Sequence, residues 1–361
     1  ETIVPKVNNS KLGYQKGVPF EKRKPVYFNY MSRRQIEFCL RRKYGWKPKL
    51  LTNDGHAQID DVVLANLPYP EAKRLSEIFL IQKRIGQLAE GKQAWLKKVE
   101  KDGKLRHRII SGGCISGRAS HVGPNLAQVP SVRQPYGKQC RELFTVQPGY
   151  SLVGSDLSGL ELRCLAHFLN DGGAYAKEIL SGDIHTANQQ AAGLDTRDQA
   201  KTFIYTLIFG GGDAKLGQVV GSSPTAGRKL RDNFFKAVPA FKELKTQLGV
   251  ASEKGWIYGL DKRRLKVRSQ HSVMSTLIQS AGAVLCKQWL VEIDHAIKEA
   301  NLDAQVIAWV HDEVQIQVKK GDEDVVGDIA RRAAKKAGEA YSFRCPIEAE
   351  YAHGRTWRDT H

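Results

Sequence analysis

Two carboxylates stand where apolar, strand-like runs give out. Asp156 closes Ser151-Leu152-Val153-Gly154-Ser155-Asp156, and Asp312 sits in the tip His311-Asp312-Glu313 between Val306–Val310 and Val314–Val318. In neighbouring strands of one sheet these acids would meet, and two uncompensated charges about 4 Å apart repel by roughly 4 kcal/mol at an effective dielectric near ~20. A divalent cation removes that repulsion. All-oxygen ligation without a Cys/His cluster points to magnesium, which keeps waters and accepts phosphate oxygens from its substrate. Two such ions can activate a hydroxyl and stabilise the leaving oxygen of a phosphoryl group. Between the acids lies a second pattern: Arg197, Lys201, Tyr205 and Phe209 fall four apart on a helix predicted over Arg197–Phe209. Steps of four drift by only about 40°, so two cations and two rings share one stripe. Any one of them is more simply a solvated cation or a core ring. All four, following an acid-tipped strand, suit a triphosphate with a base behind it.

The elements that must position these groups are legible around them. A helical pattern, Gly159–Phe168, follows Asp156 at once and puts that acid at a strand-to-helix junction. Asp195 and Thr196 offer side-chain caps for the stripe helix, and Gly210-Gly211-Gly212 stops it. Residues 1–30 read as an extended or weakly ordered basic lead-in, with clusters such as Glu21-Lys22-Arg23-Lys24. A basic helix from Ser32 to Arg42 turns Ile36, Cys39 and Leu40 to one face, and Glu71–Lys98 reads as one long helix. Residues 100–150 are turn-rich. Pro224–Leu248 reads as helices interrupted at Pro239, Trp256–Val267 as a hairpin and Ser272–Ala300 as a long helix that carries Gln279. The strands flanking Asp312 read as an antiparallel hairpin whose acid takes the positive φ of a tight turn.

With 56 Lys+Arg against 38 Asp+Glu the chain carries +18, spread along its length, which favours a polyanionic partner. Its 361 residues are ample for more than one domain. The six cysteines show no zinc spacing and read as reduced, buried thiols of a cytosolic protein. No signal peptide, lipidation motif or membrane-length apolar run is present. Starting at Glu1 without a Met, the chain reads as a fragment or a processed product.

Asp156-Leu157-Ser158-Gly159-Leu160-Glu161-Leu162-Arg163 resembles motif A of the DNA polymerase I family (family A), Arg197-x3-Lys201-x3-Tyr205-x3-Phe209-Gly210 its motif B, and Val310-His311-Asp312-Glu313 its motif C. Ser116-Gly117-Arg118 with Pro124–Pro130 resembles the segment that contacts primer-template. Ile184-His185-Thr186, Ile81–Gln87 and the terminal His361 are similar to the replicative polymerases of short-tailed phages. The resemblance runs from about residue 28 to the C-terminus. It implies an α+β right-hand fold: thumb about 1–100, palm 101–167 and 275–361, fingers 168–274. It implies template-directed addition of dNTPs to a primer end with two Mg2+ ions, Mn2+ being a possible substitute, in the cytoplasm of a phage host. Asp156, Asp312 and the Leu157 carbonyl would hold metal, supported by Glu313. Arg197, Lys201 and His185 would contact the triphosphate, and Glu161 with Tyr205 would exclude a 2′-hydroxyl. Arg118, Asn125, Gln128, Phe209, His271, Gln279 and His311 would contact DNA. Tyr205 further implies ready use of dideoxynucleotides.

Two positions depart from the pattern: Phe209 stands where Tyr is usual, and Ser275 where Asn is common. No acidic exonuclease motif precedes the thumb-like region, which implies a truncated chain or a separate exonuclease polypeptide, alongside a thioredoxin-like processivity factor. Rival readings are a single-subunit RNA polymerase, disfavoured by Glu161; a phosphohydrolase, disfavoured by the lack of spaced His ligands; and a DNA-binding module without catalysis.

Overall fold

The computed structural model describes residues 2–22 and 25–361, so Arg23 and Lys24 of the basic cluster lie outside the described residues. The chain divides into two units, Glu1–Lys97 and Lys98–His361.

In the smaller unit the lead-in is more ordered than expected. β1 (Thr2–Ile3) pairs antiparallel with β2 (Phe20–Glu21), and Tyr14 stacks on Phe20 at 3.7 Å. Ser32 caps α1 (Arg33–Tyr44), accepting from the Gln35 amide, and Gly45 ends it at a φ of 63°. Ile36 and Leu40 are buried in a core with Trp46, Ile59, Leu64 and Leu75. Cys39 is exposed, contrary to expectation, because the buried stripe centres between Ile36 and Leu40 and Cys39 lies about 80° from that centre. After α2 (Asp61–Ala65) comes α3 (Pro70–Ile85), and the long helix expected to Lys98 breaks here. A π-helical turn at Gly86–Glu90 ends in extended backbone at Gly91, and α4 (Trp95–Lys98) is a separate short helix. A Cβ at Gly91 would lie 2.4 Å from the Gly86 carbonyl oxygen, so the break needs glycine.

In the larger unit, β3 (Arg108–Ile110) and β4 (Ser120–Val122) form a hairpin, α5 (Gly137–Glu142) follows, and β5 (Tyr150–Leu157) leads into α6 (Leu160–Phe168). Six helices come next: α7 (Ala174–Ser181), α8 (Ile184–Ala192), α9 (Arg197–Ile208), α10 (Asp213–Val219), α11 (Pro224–Ala237) and α12 (Pro239–Ala251). Then follow the hairpin β6 (Trp256–Tyr258) and β7 (Arg264–Lys266), the long α13 (Val273–Glu299), β8 (Ala304–Val310), β9 (Glu313–Lys319), α14 (Glu323–Glu339) and β10 (Ala349–Gly354). α14 and β10 were not anticipated from the sequence. Cys114, expected to be buried, is exposed, whereas Cys140, Cys164, Cys286 and Cys345 are buried.

The central sheet has the order β10-β5-β9-β8 and is antiparallel throughout. Its two faces follow from the period of two along β9. Val314, Ile316 and Val318 are fully buried on the face that α14 covers, while Glu313, Gln315 and Gln317 turn to the other face. α14 fits closely because Gly327 lies against the Tyr351 ring, where a Cβ would come within 2.3 Å. The Trp289 indole of α13 donates to the Ala330 carbonyl at 2.8 Å and fixes the two long helices together.

His167, at the end of α6, is held neutral by its place in this core. Burial, followed by the nearby Arg344 charge, pushes it down to about 4. Its Nδ1 accepts from the Arg344 amide at 3.1 Å, and its ring stacks on Phe343 at 4.2 Å. Between about pH 6.5 and 4 the unfolded chain therefore binds the proton that the folded one refuses, so stability must fall as pH falls through that window. A His167→Asn variant, which keeps an acceptor without the titration, is expected to flatten the slope of thermal midpoint against pH there. An unchanged slope would assign the acid sensitivity elsewhere.

Candidate active site

The sheet register brings the expected acids together. Asp156 is the cross-strand partner of Glu313 on one side and of Glu350 on the other. The Leu157 amide donates to the Asp312 carbonyl at 3.0 Å, which ties the last residue of β5 to the turn that carries Asp312. That turn is made by His311 at a φ of 60°, not by Asp312 as expected. An imidazole thus occupies a left-handed conformation next to an acid, the kind of strained position found at functional sites.

The electrostatics record the crowding. Partial desolvation first, then repulsion from Asp312, Glu313, Glu161 and Glu350, pushes Asp156 up to about 7, although its oxygens still reach water at the end of the strand. Asp312 rises to about 6, by burial and then by the Glu161 charge. The nearest arginines are committed elsewhere. Arg118 Nη2 contacts Glu161 Oε1 at 3.0 Å, and Arg141 Nη1 lies 3.7 Å from Glu313 Oε2. Asp156 and Asp312 thus form an under-compensated oxygen pair, and this donor set fits a hard divalent cation. Among the described residues no group of three or more His, Cys, Asp or Glu side chains could cage a metal, so further ligands would have to come from solvent or substrate.

Glu313 is set apart from this pair. Burial pushes its carboxyl up, but bonds to His361, the Arg141 charge and the Trp357 indole outweigh it and hold the group below its usual range. Its Oε1 accepts from Gln315 at 2.8 Å and from Trp357, and lies 3.0 Å from the His361 imidazole. Arg141 stacks its guanidinium on Trp357 at 4.6 Å and donates to the Pro130 carbonyl at 3.1 Å. As placed, Glu313 buttresses the C-terminal residues beneath the site. Sequence reasoning missed Arg141, Trp357 and Thr360, and the one local signal was Trp357 itself, a large ring alone among the polar residues Arg355, Thr356, Arg358 and Asp359.

α9 carries the stripe toward the acids. Thr196, not Asp195, caps it in a capping box with Gln199. Tyr205 is pushed up to about 12 by burial, then by the Glu161 and Asp312 charges, which locates its phenol beside both acids. Phe209 caps the helix, 42% exposed and stacked near Tyr205 at 6.3 Å, so it is not a core ring. Gly210 presses against the His271 backbone, where a Cβ would lie 2.0 Å from the carbonyl oxygen, and so brings those two expected DNA contacts together. His185 is depressed by burial and then by Arg197 and Lys201, which places all three cationic or ring-nitrogen groups in one cluster. Lys201 is exposed; Arg197 is engaged with Asp183 at 2.5 and 3.2 Å. Asp183 also caps α8 by accepting from the His185 amide at 3.1 Å, a partner that sequence reasoning missed although an Asp before a helix is an N-cap signal.

The remaining expected DNA contacts are less uniform. Arg118 and His311 line one small cavity with Asp312 and Gly282 of α13. Lys287 Nζ holds the Gly117 carbonyl at 2.8 Å, fixing the turn before Arg118. Gln279 lies half-buried on α13, and Ser275 spends its hydroxyl on the Ser272 carbonyl at 2.9 Å. Asn125 caps a short 3-10 turn through the Ala127 amide at 3.1 Å, and Gln128 is exposed at its end. Arg163 of the first motif is turned into the chain's own interior. It is buried and donates to the carbonyls of Ser158, at 2.7 Å, and of Pro346, and to Glu348 at 2.6 Å.

The sequence model of DNA polymerase family A matches residues 19–359. The chain belongs to DNA polymerase family A. It is 40% identical to the DNA-directed DNA polymerase of Enterobacteria phage T3 and 41% identical to that of Escherichia phage T7, in each case over 96% of this chain and 55% of the relative. It is 26% identical to DNA polymerase I of Bacillus caldotenax over 92% of this chain and 40% of that protein. The chain thus spans about half the length of the phage relatives it matches. The fold matches the POL domain of Pol1 from M. smegmatis, solved in complex with DNA primer-template and dNTP, with a TM-score of 0.81 at 22% identity, covering 92% of this chain and 62% of that one. The right-hand polymerase fold read from the motifs is therefore the fold of this family A member.

The docking of the C-terminal residues onto the acid-bearing face depends on Gly154, where a Cβ would lie 2.5 Å from Thr360 Cβ and 2.6 Å from Gln315 Nε2. Gly154→Ala is expected to cost about 1–3 kcal/mol of stability by overpacking and to shift the Trp357 fluorescence to the red as the tail lifts. Unchanged stability and emission would mean that the tail does not seat on the sheet.

Proposed function

We propose that this chain is the polymerase portion of a template-directed DNA polymerase of phage replication, adding dNTPs to a primer 3′ end by two-metal-ion nucleotidyl transfer. What supports this reading most is the meeting of Asp156 and Asp312, under-compensated, beside Tyr205 of α9. Asp156, Asp312 and the Leu157 carbonyl would hold Mg2+, or Mn2+ in its place. Bound there, the ions would supply activation of the primer hydroxyl and stabilisation of the leaving pyrophosphate.

The chain's own groups do the rest. Lys201, Arg197 and His185 neutralise and orient the triphosphate, since phosphoryl transfer is mostly positioning and charge stabilisation. Arg197 would exchange its Asp183 partner for phosphate oxygens. Glu161, steadied by Arg118 and facing Tyr205, narrows the space under the sugar and rejects a 2′-hydroxyl. Phe209, with its ring exposed, would stack near the templating base, and Arg118, His311, Gln279, His271, Asn125 and Gln128 would contact primer-template. Residues 1–100 would act as thumb, 101–167 and 275–361 as palm and 168–274 as fingers. An exonuclease polypeptide and a thioredoxin-like processivity factor are proposed partners, and the host cytoplasm the proposed setting. No helix among the described residues is long and apolar enough to cross a membrane.

Replacing Asp312 by Asn removes half of the cation site without changing shape, a loss of several kcal/mol of transition-state stabilisation, or about a thousandfold or more in primer extension. Primer-template affinity should stay within about twofold. Retained extension would reject the assignment. Glu161→Gln should admit ribonucleotides measurably, and strict exclusion in that variant would remove Glu161 from the gate.

A further inference from the structure

The hairpin β6–β7 has a second face that the proposed catalytic machinery does not use. Ile257 and Leu265 point inward and are 3% and 1% exposed. The cross-strand pairs Trp256 with Lys266 and Tyr258 with Arg264 therefore share the outer face. Two aromatic side chains stand directly opposite two cations. Lys254 Nζ lies 4.0 Å from the Trp256 ring centroid and 5.6 Å from that of Tyr258, and the Arg264 guanidinium lies 4.5 Å from that of Trp256. Tyr258 is 55% exposed, a large ring left in water. None of Lys254, Arg264 and Lys266 has a carboxylate partner among the described ion pairs, whereas Arg263 in the connecting turn is paired with Asp261 at 3.0 Å.

That turn also anchors the hairpin beside the proposed DNA contacts. Arg263 Nη2 reaches Ser280 of α13 at 3.4 Å, and its guanidinium lies so close to Gly117 that a Cβ there would come within 2.6 Å. Gly117 directly precedes Arg118. A face of aromatic rings interleaved with unpaired cations fits a single-stranded polynucleotide, because every base offers a π face for stacking and every linkage offers a phosphate. An isolated solvated cation would not need a large ring exposed beside it.

We propose that the outer face of this hairpin, through Trp256, Tyr258, Arg264, Lys266 and Lys254, binds unpaired single-stranded DNA, namely the template strand before it is copied. The assignment to the template strand rests on the polymerase reading; the single-strand site itself does not.

The test uses the whole chain and two primer-templates that differ only in their 5′ overhang, of about 2 and about 15 nucleotides, with oligo-dT as a free single strand. The wild type is expected to bind the long overhang about tenfold more tightly than the short one. An Arg264→Gln/Lys266→Gln double variant and a separate Tyr258→Ala variant should each lose that increment and weaken oligo-dT binding, while short-overhang binding and extension stay unchanged. Arg263 is left intact because it supports Gly117. In the double variant the slope of log affinity against log salt should fall by about 1.4 on the long overhang, the release expected for two single-strand phosphate contacts. No dependence on overhang, or a dependence these variants leave untouched, overturns the proposal. So does loss of binding to an acidic probe, polyglutamate, with the overhang effect preserved, which would mark the face as a site for an acidic protein. Oligo-dT binding that the variants abolish in a chain unable to extend primers would sink the polymerase reading and leave this site standing.

Discussion

The site is organised by one hydrogen bond and the register around it. The Leu157 amide donates to the Asp312 carbonyl while Asp156 faces Glu313 across the ladder, so two strand ends distant in sequence deliver carboxylates to the same place. Folding has to work against the resulting repulsion. The packing opposite supplies the means: the fully buried Val314, Ile316 and Val318 bind the sheet to α14, and the two serines on that face are satisfied, Ser151 by Glu323 Oε1 at 2.6 Å and Ser155 by the Glu350 carbonyl at 2.8 Å. The apolar face holds the polar one in an arrangement it would not adopt alone.

The cations around the acids are placed with the same logic. Eighteen excess positive charges would neutralise two carboxylates easily if any were free to approach. Instead Arg118 is held by Glu161, Arg141 by Glu313 and the Pro130 carbonyl, and Arg163 by Ser158, Pro346 and Glu348. Each arginine adjoining the site has a partner that is not Asp156 or Asp312. The pair is left under-compensated, which is the electrostatic condition that the proposed cation site requires.

How much of this was legible in the sequence follows from which forces are local. The acid-tipped strand, the capped stripe helix with its glycine stop and the β6–β7 hairpin are set by period, caps and turn residues within a few positions, and they stand where those signals put them. The break at Gly91 was missed because Ile81 and Ile85 keep helical spacing up to the turn, while the glycine that leaves the helix has no effect on that spacing. The positive φ went to His311 instead of Asp312 because the cross-strand pair Val310–Glu313 fixes which tip residue must turn. β10 was invisible: Ala349–Gly354 has little β-branched or apolar pattern and becomes a strand only because β5 offers it an edge. The tethers that make the site, Asp183 on Arg197 and the C-terminal residues on Glu313, join positions up to 48 apart and left no mark on local pattern.

The central claim is that Asp156 and Asp312 repel each other in the folded chain, and a double-mutant cycle of metal-free stability measures it directly. Both carboxyls are raised in the folded state, so their ionised forms cost stability as pH climbs from the unfolded range near ~4 through about 7, and at pH 8 in chelator that cost is fully present. Asp156→Asn and Asp312→Asn should then each stabilise the protein by about 1 kcal/mol, a figure discounted for the water that reaches Asp156, and the double variant should gain clearly less than the sum. Destabilisation by either substitution, or gains that simply add, would mean that the two carboxylates do not share a site.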